Sequence, residues 1–236
     1  MALTTLWYWI GAAGMAVGAA PPLRRLVVDP SRRRHYAVLA LVPAIAALAY
    51  AAMALGVGRV ATPSGSLLLP RYVDWLLTTP LLVLYLGMLA DPGRSVYAAL
   101  VGVDVVIIGA GIVAGALPNS TGWIAFAVGS LGYLGLLYLL LSVLPERARL
   151  SSDRVYADFT KLRNLTVVLW TLYPVVWLLS PLGVGLLQTS TEALVVTYLD
   201  LISKVGFVVI ALNGQLSVAP TDADDGGDAE SISSYS

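Results

Sequence analysis

One apolar stretch near the end of the chain, residues 194–216, carries two ionisable side chains in its middle. It reads LVVTYLDLISKVGFVVIALNGQL, and a helix of about 20 residues is long enough to cross the hydrocarbon core of a bilayer. Asp200 and Lys204 share one helical face, and each costs about 2.5–3.5 kcal/mol in mid-membrane. Either they form an ion pair that serves packing or assembly, or Lys204 is a covalent attachment point. A buried lysine is the residue type that forms Schiff bases, and an aspartate one turn away would stabilise the protonated imine.

The whole chain has the composition of a multi-pass membrane protein. Hydrophobic residues make up 58% of it and charged residues 12%, against about 25% charged in a soluble domain. There is no cysteine, which excludes disulfides and thiolate chemistry, and the one histidine, His35, lies among arginines. We therefore expect no thiolate or histidine catalysis and no metal site. Separately, we do not expect the chain to be an enzyme. Seven apolar segments predict an all-α bundle of seven transmembrane helices, at about 3–23, 36–57, 68–90, 95–117, 123–144, 160–180 and 194–216.

Positive charge is unevenly distributed between the connections. Five arginines lie between the first two predicted spans and five basic residues lie between 147 and 163, whereas the other side holds only Arg59 and Arg71. Because cytoplasmic loops carry the excess of Lys and Arg, the N-terminus is predicted to be extracellular and the C-terminus cytoplasmic. Residues 1–216 then form the transmembrane domain. Residues 217–236 are acidic without apolar periodicity, so we expect a disordered cytoplasmic tail.

Two connections have a composition that predicts their structure. The segment GRVATPSGS, between the second and third spans, contains Pro63 and Gly65 and is predicted to form a hairpin turn. The segment 145–164, PERARLSSDRVYADFTKLRN, is rich in charge, and we interpret it as the longest internal loop.

Four ionisable residues lie well inside the predicted spans, Asp74, Asp104, Asp200 and Lys204, and Arg71 lies nearer the outer end of the third span. Charges inside the membrane indicate function by default. Arg71 and Asp74 share a helical face with Trp75 and Thr78. Arg71 could neutralise part of the negative charge of Asp74 and Asp200, so that a buried cluster would be balanced. The alternative is a structural network of salt bridges without a chemical role.

Aromatic side chains recur on one face of the sixth span, where Pro174 would kink the helix and provide a hinge. Such a stripe is usually packing, but this one lies in mid-span and could also wall a flat, conjugated ligand. The residues that would enclose such a pocket are Trp75, Trp170, Tyr173 and Trp177, with Phe126 and Tyr133 at its far end.

Three motifs occur in order along the seven spans: RYVDWLLTTP, LWTLYPVVWLL and YLDLISKVG. Together they resemble the microbial (type I) rhodopsins and, within that family, the sensory branch that serves phototaxis. The resemblance covers nearly all of the chain up to about Gln215. It implies all-trans retinal bound to Lys204 as a protonated Schiff base, isomerisation to 13-cis in light, and a photoreceptor for repellent, blue-light phototaxis in the cell membrane.

The resemblance also implies roles for individual residues. Asp74 would be the counterion of the Schiff base and its proton acceptor, Asp200 the second carboxylate, and Arg71 the completing cation. We interpret Asp104 as a protonated, hydrogen-bonded carboxyl near the ring end of retinal, because an isolated charge there would be costly. The other implied pocket residues are Trp75, Trp170 and Trp177 around the polyene, Tyr173 near the seventh helix, and Thr78 and Thr79 facing the pocket, the first toward Asp74.

Two positions separate sensors from pumps in this family. Proton pumps carry a carboxylic acid eleven residues after the counterion, and here that residue is Tyr85, which cannot serve as a carboxylic proton donor. The deprotonated state should then live longer, which suits a sensor. Ser203, directly before Lys204, would bond to Tyr173 and couple the site to movement of the sixth span against the seventh. The alternative for this pair is two satisfied polar side chains without a signalling role.

By resemblance, the partner is a two-helix transducer of the chemotaxis-receptor type, packed on the sixth and seventh spans. Lys161 and Arg163 either meet acidic groups of this partner or anchor the helix as positive-inside residues. Glu192 either takes part in proton release or is simply solvated. The side chains that could form the partner surface are Tyr198, Thr189, Ser190 and Thr197.

Two other functions remain open at this stage. An outward light-driven proton pump would share the chromophore and Asp74, although Tyr85 argues against efficient pumping. A chloride pump is disfavoured, because the chloride pumps of the family lack a carboxylate at the position of Asp74. From a different class, a seven-span transporter or ligand receptor could use Lys204 and Asp200 as a plain ion pair.

Overall fold

The computed structural model describes residues 2–63 and 65–217, and within these ranges the fold is helical apart from one small hairpin. Seven helices follow one another, so the predicted all-helical fold is confirmed. Five of them are uninterrupted: α1 (Ala2–Val28), α2 (Arg33–Ala54), α3 (Leu69–Ala90), α4 (Arg94–Ala116) and α6 (Asp153–Leu179). Two contain a π-helical segment: α5 comprises Asn119–Tyr138, the π segment Leu139–Val143 and Leu144–Ala148, and α7 comprises Thr189–Leu201, the π segment Ile202–Gly206 and Phe207–Ser217. The predicted acidic tail lies outside the described residues, except for Ser217.

Six of the described helices, α2 to α7, are long and apolar enough to cross a membrane. The first helix has 27 residues, which at 1.5 Å per residue also suffices for a bilayer. It contains the aromatic cluster Trp7, Tyr8 and Trp9, and it continues past the predicted end through Arg24 and Arg25.

The connection between α2 and α3 is a two-stranded antiparallel hairpin, which confirms the predicted turn. Strand β1 (Arg59–Thr62) pairs with β2 (Gly65–Leu68), and Thr62 stands opposite Gly65. Leu67 is buried, so the hairpin covers one end of the bundle.

The charged segment 145–164 is helical over most of its length, and its interpretation as a loop is wrong. Helix α5 extends to Ala148, and α6 already begins at Asp153. The Oγ atom of Ser152 accepts a hydrogen bond from the amide of Val155 at 3.4 Å, and Asp153 adds a negative charge in the first turn. Both features favour a helix start, and charged side chains continue a helix where it leaves the apolar layer.

Lys204 lies in the π-helical segment of α7 rather than in regular α-helix. Such segments often occur at functional sites. Helix α1 packs closely against the preceding turn at Gly14, where an added Cβ would lie 2.6 Å from Cδ2 of Leu201. A glycine at this position therefore allows α1 to support the backbone that carries Lys204.

Helix α6 is continuous through Pro174. Because proline has no N–H, the carbonyl of Trp170 lacks its usual helical partner there. A hinge at this turn stays a prediction.

Candidate functional site

Lys204 and Asp74 meet inside the bundle. Lys204 is 1% exposed and Asp74 is fully buried. The Nζ atom of Lys204 donates a hydrogen bond to Oδ2 of Asp74 and lies 3.8 Å from Oδ2 of Asp200. The lysine is therefore placed between two carboxylates, one from α3 and one from its own helix. Pairing of this kind offsets the cost of burying each charge.

Side chains from three other helices bond to Asp200. Tyr50 on α2 donates to Oδ2 at 2.7 Å, Tyr173 on α6 donates to Oδ1 at 2.6 Å, and the indole N–H of Trp75 on α3 lies 3.1 Å from Oδ1. Sequence reasoning missed Tyr50. The available signal was a tyrosine inside an apolar span, because a buried phenol usually finds a hydrogen-bond partner.

Thr78 and Thr79 bond to two different carboxyl-bearing residues. The Oγ1 atom of Thr78 donates to the carbonyl of Asp74 at 2.8 Å and lies 3.2 Å from its Oδ1. The Oγ1 atom of Thr79 lies 2.6 Å from the carbonyl oxygen of Trp75 and 2.7 Å from Oδ2 of Asp104. One hydroxyl carries one proton and a carbonyl can only accept, so both contacts are fully satisfied when Asp104 supplies a proton. This geometry supports the protonated form of Asp104, which stays a prediction.

Arg71 does not pair directly with Asp74 or Asp200 among the described contacts, so its part in balancing their charge stays a prediction. Its Nη1 atom forms a salt bridge of 3.1 Å with Glu192, and its Nη2 atom lies 3.5 Å from the hydroxyl of Tyr8. Arg71 stands in the first turn of α3, and Glu192 stands in the first turn of α7 at the same end of the bundle. Glu192 is thus a paired residue, and its interpretation as a merely solvated carboxylate is wrong.

A cavity of about 490 Å³ extends from Lys204 toward α4 and α5. Phe126 stacks on Trp177 in its wall, with ring centroids 4.3 Å apart. Thr78 and Asp74 are not part of the lining, so Thr78 reaches the site through Asp74 and not by facing the cavity. The predicted pocket residues that do line it are Arg71, Trp75, Thr79, Asp104, Phe126, Tyr133, Trp170, Tyr173, Trp177, Asp200, Ser203 and Lys204.

Tyr85 and Ser203, the two positions expected from the resemblance to separate a sensor from a pump, are both buried. The ring of Tyr85 packs edge-on against His35 at 5.8 Å and against Phe207 at 5.5 Å. The hydroxyls of Tyr173 and Ser203 are 3.5 Å apart, whereas the phenol of Tyr173 lies 2.6 Å from Asp200. The main hydrogen bond of Tyr173 is therefore to Asp200, and the contact with Ser203 is the weaker one.

The predicted partner surface is only partly exposed. Tyr198 is 51% exposed and Thr189 is exposed, but Thr197 is fully buried and donates to the carbonyl of Ala193, so its assignment to the surface is wrong. Ser190 is half-buried. Of the two basic residues, Lys161 pairs with Asp158 at 3.2 Å, and Arg163 bonds to Asn164.

Fold and site together define a seven-helix membrane protein with a buried lysine at a cavity of ligand size. The chain belongs to the bacteriorhodopsin-like protein family, whose model matches residues 2–218. This confirms the resemblance to the microbial rhodopsins, their fold, and the location in the membrane as a multi-pass protein.

Several relatives are similar over most of the chain. The sensory rhodopsin-2 of Halobacterium salinarum is 51% identical to this chain, and the match covers 95% of this chain and 94% of the relative. The sensory rhodopsin-2 of Natronomonas pharaonis is 41% identical over 89% of this chain and 88% of its own. Among solved structures, the thermophilic rhodopsin of Rubrobacter xylanophilus is 38% identical, with a TM-score of 0.86 over 91% of this chain and 96% of its own.

Proposed function

We propose that this chain is a retinal-based photoreceptor for phototaxis that signals through a transducer in the same membrane. The observation that carries the proposal is the hydrogen bond from Lys204 to Asp74 beside an aromatic cavity. The names of the relatives support it, because sensory rhodopsins match this chain at 41–51% identity, whereas a bacteriorhodopsin of Haloterrigena matches it at 41%.

The residues present fit retinal. A volume of about 490 Å³ lies within the usual range of ligand pockets, about 300–1,000 Å³. Its lining combines aromatic rings, which suit a conjugated chain, with one amine that can condense with an aldehyde. Lys204 would hold retinal through a protonated Schiff base at Nζ, with Trp75, Trp170 and Trp177 along the polyene.

When bound, retinal supplies absorption of visible light and isomerisation from all-trans to 13-cis. Asp74 Oδ2 is the atom placed to receive the proton from Lys204 Nζ. After this transfer neither group carries a charge, so the Coulomb attraction between α3 and α7 is lost. Asp200 keeps its bonds to Tyr50 and Tyr173 and holds the surrounding helices together. Helix α6 can then move at the turn weakened by Pro174, which is how a local change of charge becomes a change of the whole bundle.

Tyr85 favours a sensor over a pump. It is buried between His35 and Phe207, and a phenol does not replace a carboxylic acid as donor of a proton to Lys204. Return of the proton is then slow, and the signalling state is long-lived. A weak outward proton pump is the second candidate. It is supported by the shared acceptor Asp74 and by similarity to the bacteriorhodopsin of Halobacterium salinarum, at 38% identity.

The N-terminus lies outside the cell and the C-terminus in the cytoplasm in this proposal, because the basic residues gather at the other end of the bundle from Arg59. The transducer packs on α6 and α7. Tyr198 supports this surface, since half of it is exposed on α7 and its hydroxyl can bond to a partner helix.

Flash photolysis of the retinal-loaded protein tests the choice between sensor and pump. The visible absorbance should recover slowly, and azide should accelerate the recovery because it can carry protons into the site. Tyr85→Asp should restore fast recovery without azide, whereas the matched variant Tyr85→Phe should not. Fast recovery of the natural chain that azide does not change would favour the proton pump over the sensor.

A further inference from the structure

Tyr133 joins α5 to α6 beside the cavity. Its ring is buried and lines the cavity, while its hydroxyl lies 2.8 Å from Oγ1 of Thr171 and 3.1 Å from the carbonyl oxygen of Val167. Thr171 donates its own proton to Val167 at 2.7 Å. The phenol proton of Tyr133 is therefore donated to α6, whichever of the two oxygens accepts it.

This contact is located at the turn of α6 that precedes Pro174. Thr171 follows Trp170, whose carbonyl lacks a helical partner because of the proline. Tyr173, next to the proline, is bonded to α7 through Asp200. Helix α6 is thus hydrogen-bonded to α5 at Val167 or Thr171 and to α7 at Tyr173, directly before Pro174.

We propose that Tyr133 is a positioning residue whose hydroxyl holds residues 153–173 of α6 in the resting arrangement. The light-dependent part of this inference rests on the proposed photoreceptor function; the dark restraint does not. The ring of Tyr133 belongs to the cavity wall and its hydroxyl belongs to the contact with α6. A change in the cavity therefore acts on the same side chain that restrains the helix.

Tyr133→Phe removes the hydroxyl and keeps the ring. The matched control is Tyr138→Phe, on the same helix, because Tyr138 is 64% exposed. Since the chain has no cysteine, spin labels can be introduced at Ser95→Cys and Ala157→Cys without other changes. Both positions are exposed, and they lie near the first turns of α4 and α6 at one end of the bundle.

Two readouts are needed. Hydrogen exchange of the amides of residues 153–173 in the dark measures the restraint without light. Distances between the two labels, in the retinal-loaded protein before and after a flash, measure movement of α6. Tyr133→Phe should speed the exchange about threefold and slow the return of the distance about threefold, since about 0.6 kcal/mol per bond corresponds to that factor. Tyr138→Phe should match the unsubstituted chain in both.

The outcomes separate this inference from the proposed function. Unchanged exchange and unchanged distances in Tyr133→Phe would overturn the role of Tyr133, even if the protein responds to light. Faster exchange in Tyr133→Phe, with no light-dependent distance change in any variant, would support the restraint and count against the photoreceptor function. Equal effects in Tyr138→Phe would also overturn the role, because they would indicate a general loosening of α5.

Discussion

Lys204 and Asp74 are 130 residues apart in the chain and form a hydrogen-bonded ion pair with almost no exposure to solvent. The pair joins α3 to the π-helical segment of α7. Because both charges are buried, each depends on the other, and the removal of either leaves a costly unpaired charge. The proposed chemistry and the coupling between helices therefore start from the same contact.

Replacing the acceptor should stop the proton transfer. In Asp74→Asn we expect light-driven loss of the visible band to slow by about a hundredfold or more, since a positioned acceptor contributes about that much. The resting band should also move to longer wavelength, because the negative charge that stabilises a cation at Nζ is lost. Time-resolved visible spectroscopy measures both. Asp74→Glu should keep the transfer, and unaltered transfer in Asp74→Asn would show that another group is the acceptor.

The phenol of Tyr50 should contribute to stability through Asp200. Tyr50→Phe removes a 2.7 Å hydrogen bond to a buried carboxylate, and we expect a loss of about 1 kcal/mol in the free energy of unfolding. Thermal unfolding of the purified protein measures it. The exposed Tyr138→Phe should change this quantity by less than about 0.5 kcal/mol. An equal change in the free energy of unfolding for both variants would mean that the bond to Asp200 does not contribute to stability.

The contact between α6 and α7 near Gly214 is too close for a larger residue. A Cβ at this position would overlap Oδ2 of Asp158 and lie 2.6 Å from its Cγ, and Asp158 itself pairs with Lys161. Gly214→Ala should therefore displace Asp158 and lower the free energy of unfolding by about 1 kcal/mol. In the background of Asp158→Ala, the same substitution should cost almost nothing. If Gly214→Ala still lowers the free energy of unfolding in the double variant, the strain does not come from Asp158.

Asp29, between α1 and α2, gives a prediction for pH. Hydrogen bonds from the hydroxyl of Ser31 and then from that of Tyr36 hold the pKa of the Asp29 carboxyl below its usual value of 3.8. Because the folded pKa is the lower one, the bonds stabilise the turn above the unfolded pKa and are lost as the pH falls through the folded pKa. Carboxyl carbon chemical shifts should titrate at a higher pH in Ser31→Ala than in the natural chain. An identical midpoint would contradict the role of Ser31.

The sequence predicts the helices best where the length of an apolar segment decides. The third span was expected at 68–90 and α3 is Leu69–Ala90; the fourth was expected at 95–117 and α4 is Arg94–Ala116. Prediction of helix ends from the sequence fails where a helix extends beyond the apolar layer. The segment before residue 160 is charged, yet Ser152 and Asp153 start α6 there. The π segment around Lys204 has no compositional signal of its own.

The candidate site was predictable where the cost of a buried charge demands a partner. That cost predicts that Lys204 lies beside carboxylates, but it does not predict which cation pairs with which anion. Arg71 bonds to Glu192 because both stand in the first turns of helices that begin at the same end of the bundle, a relation visible only in three dimensions. The burial of Thr197 also depends on the rotation of α7, which a uniformly apolar helix does not reveal.

Attachment of retinal to Lys204 is the central claim, and mapping the adduct tests it most directly. The chain contains only two lysines, Lys161 and Lys204, so the exposed Lys161 is an internal control. The protein would be loaded with all-trans retinal, reduced with borohydride, digested and analysed by mass spectrometry. We predict a visible absorption band and a retinyl group on the peptide that contains Lys204, with none on Lys161. Absence of the band, or an adduct found only on Lys161, would contradict the account.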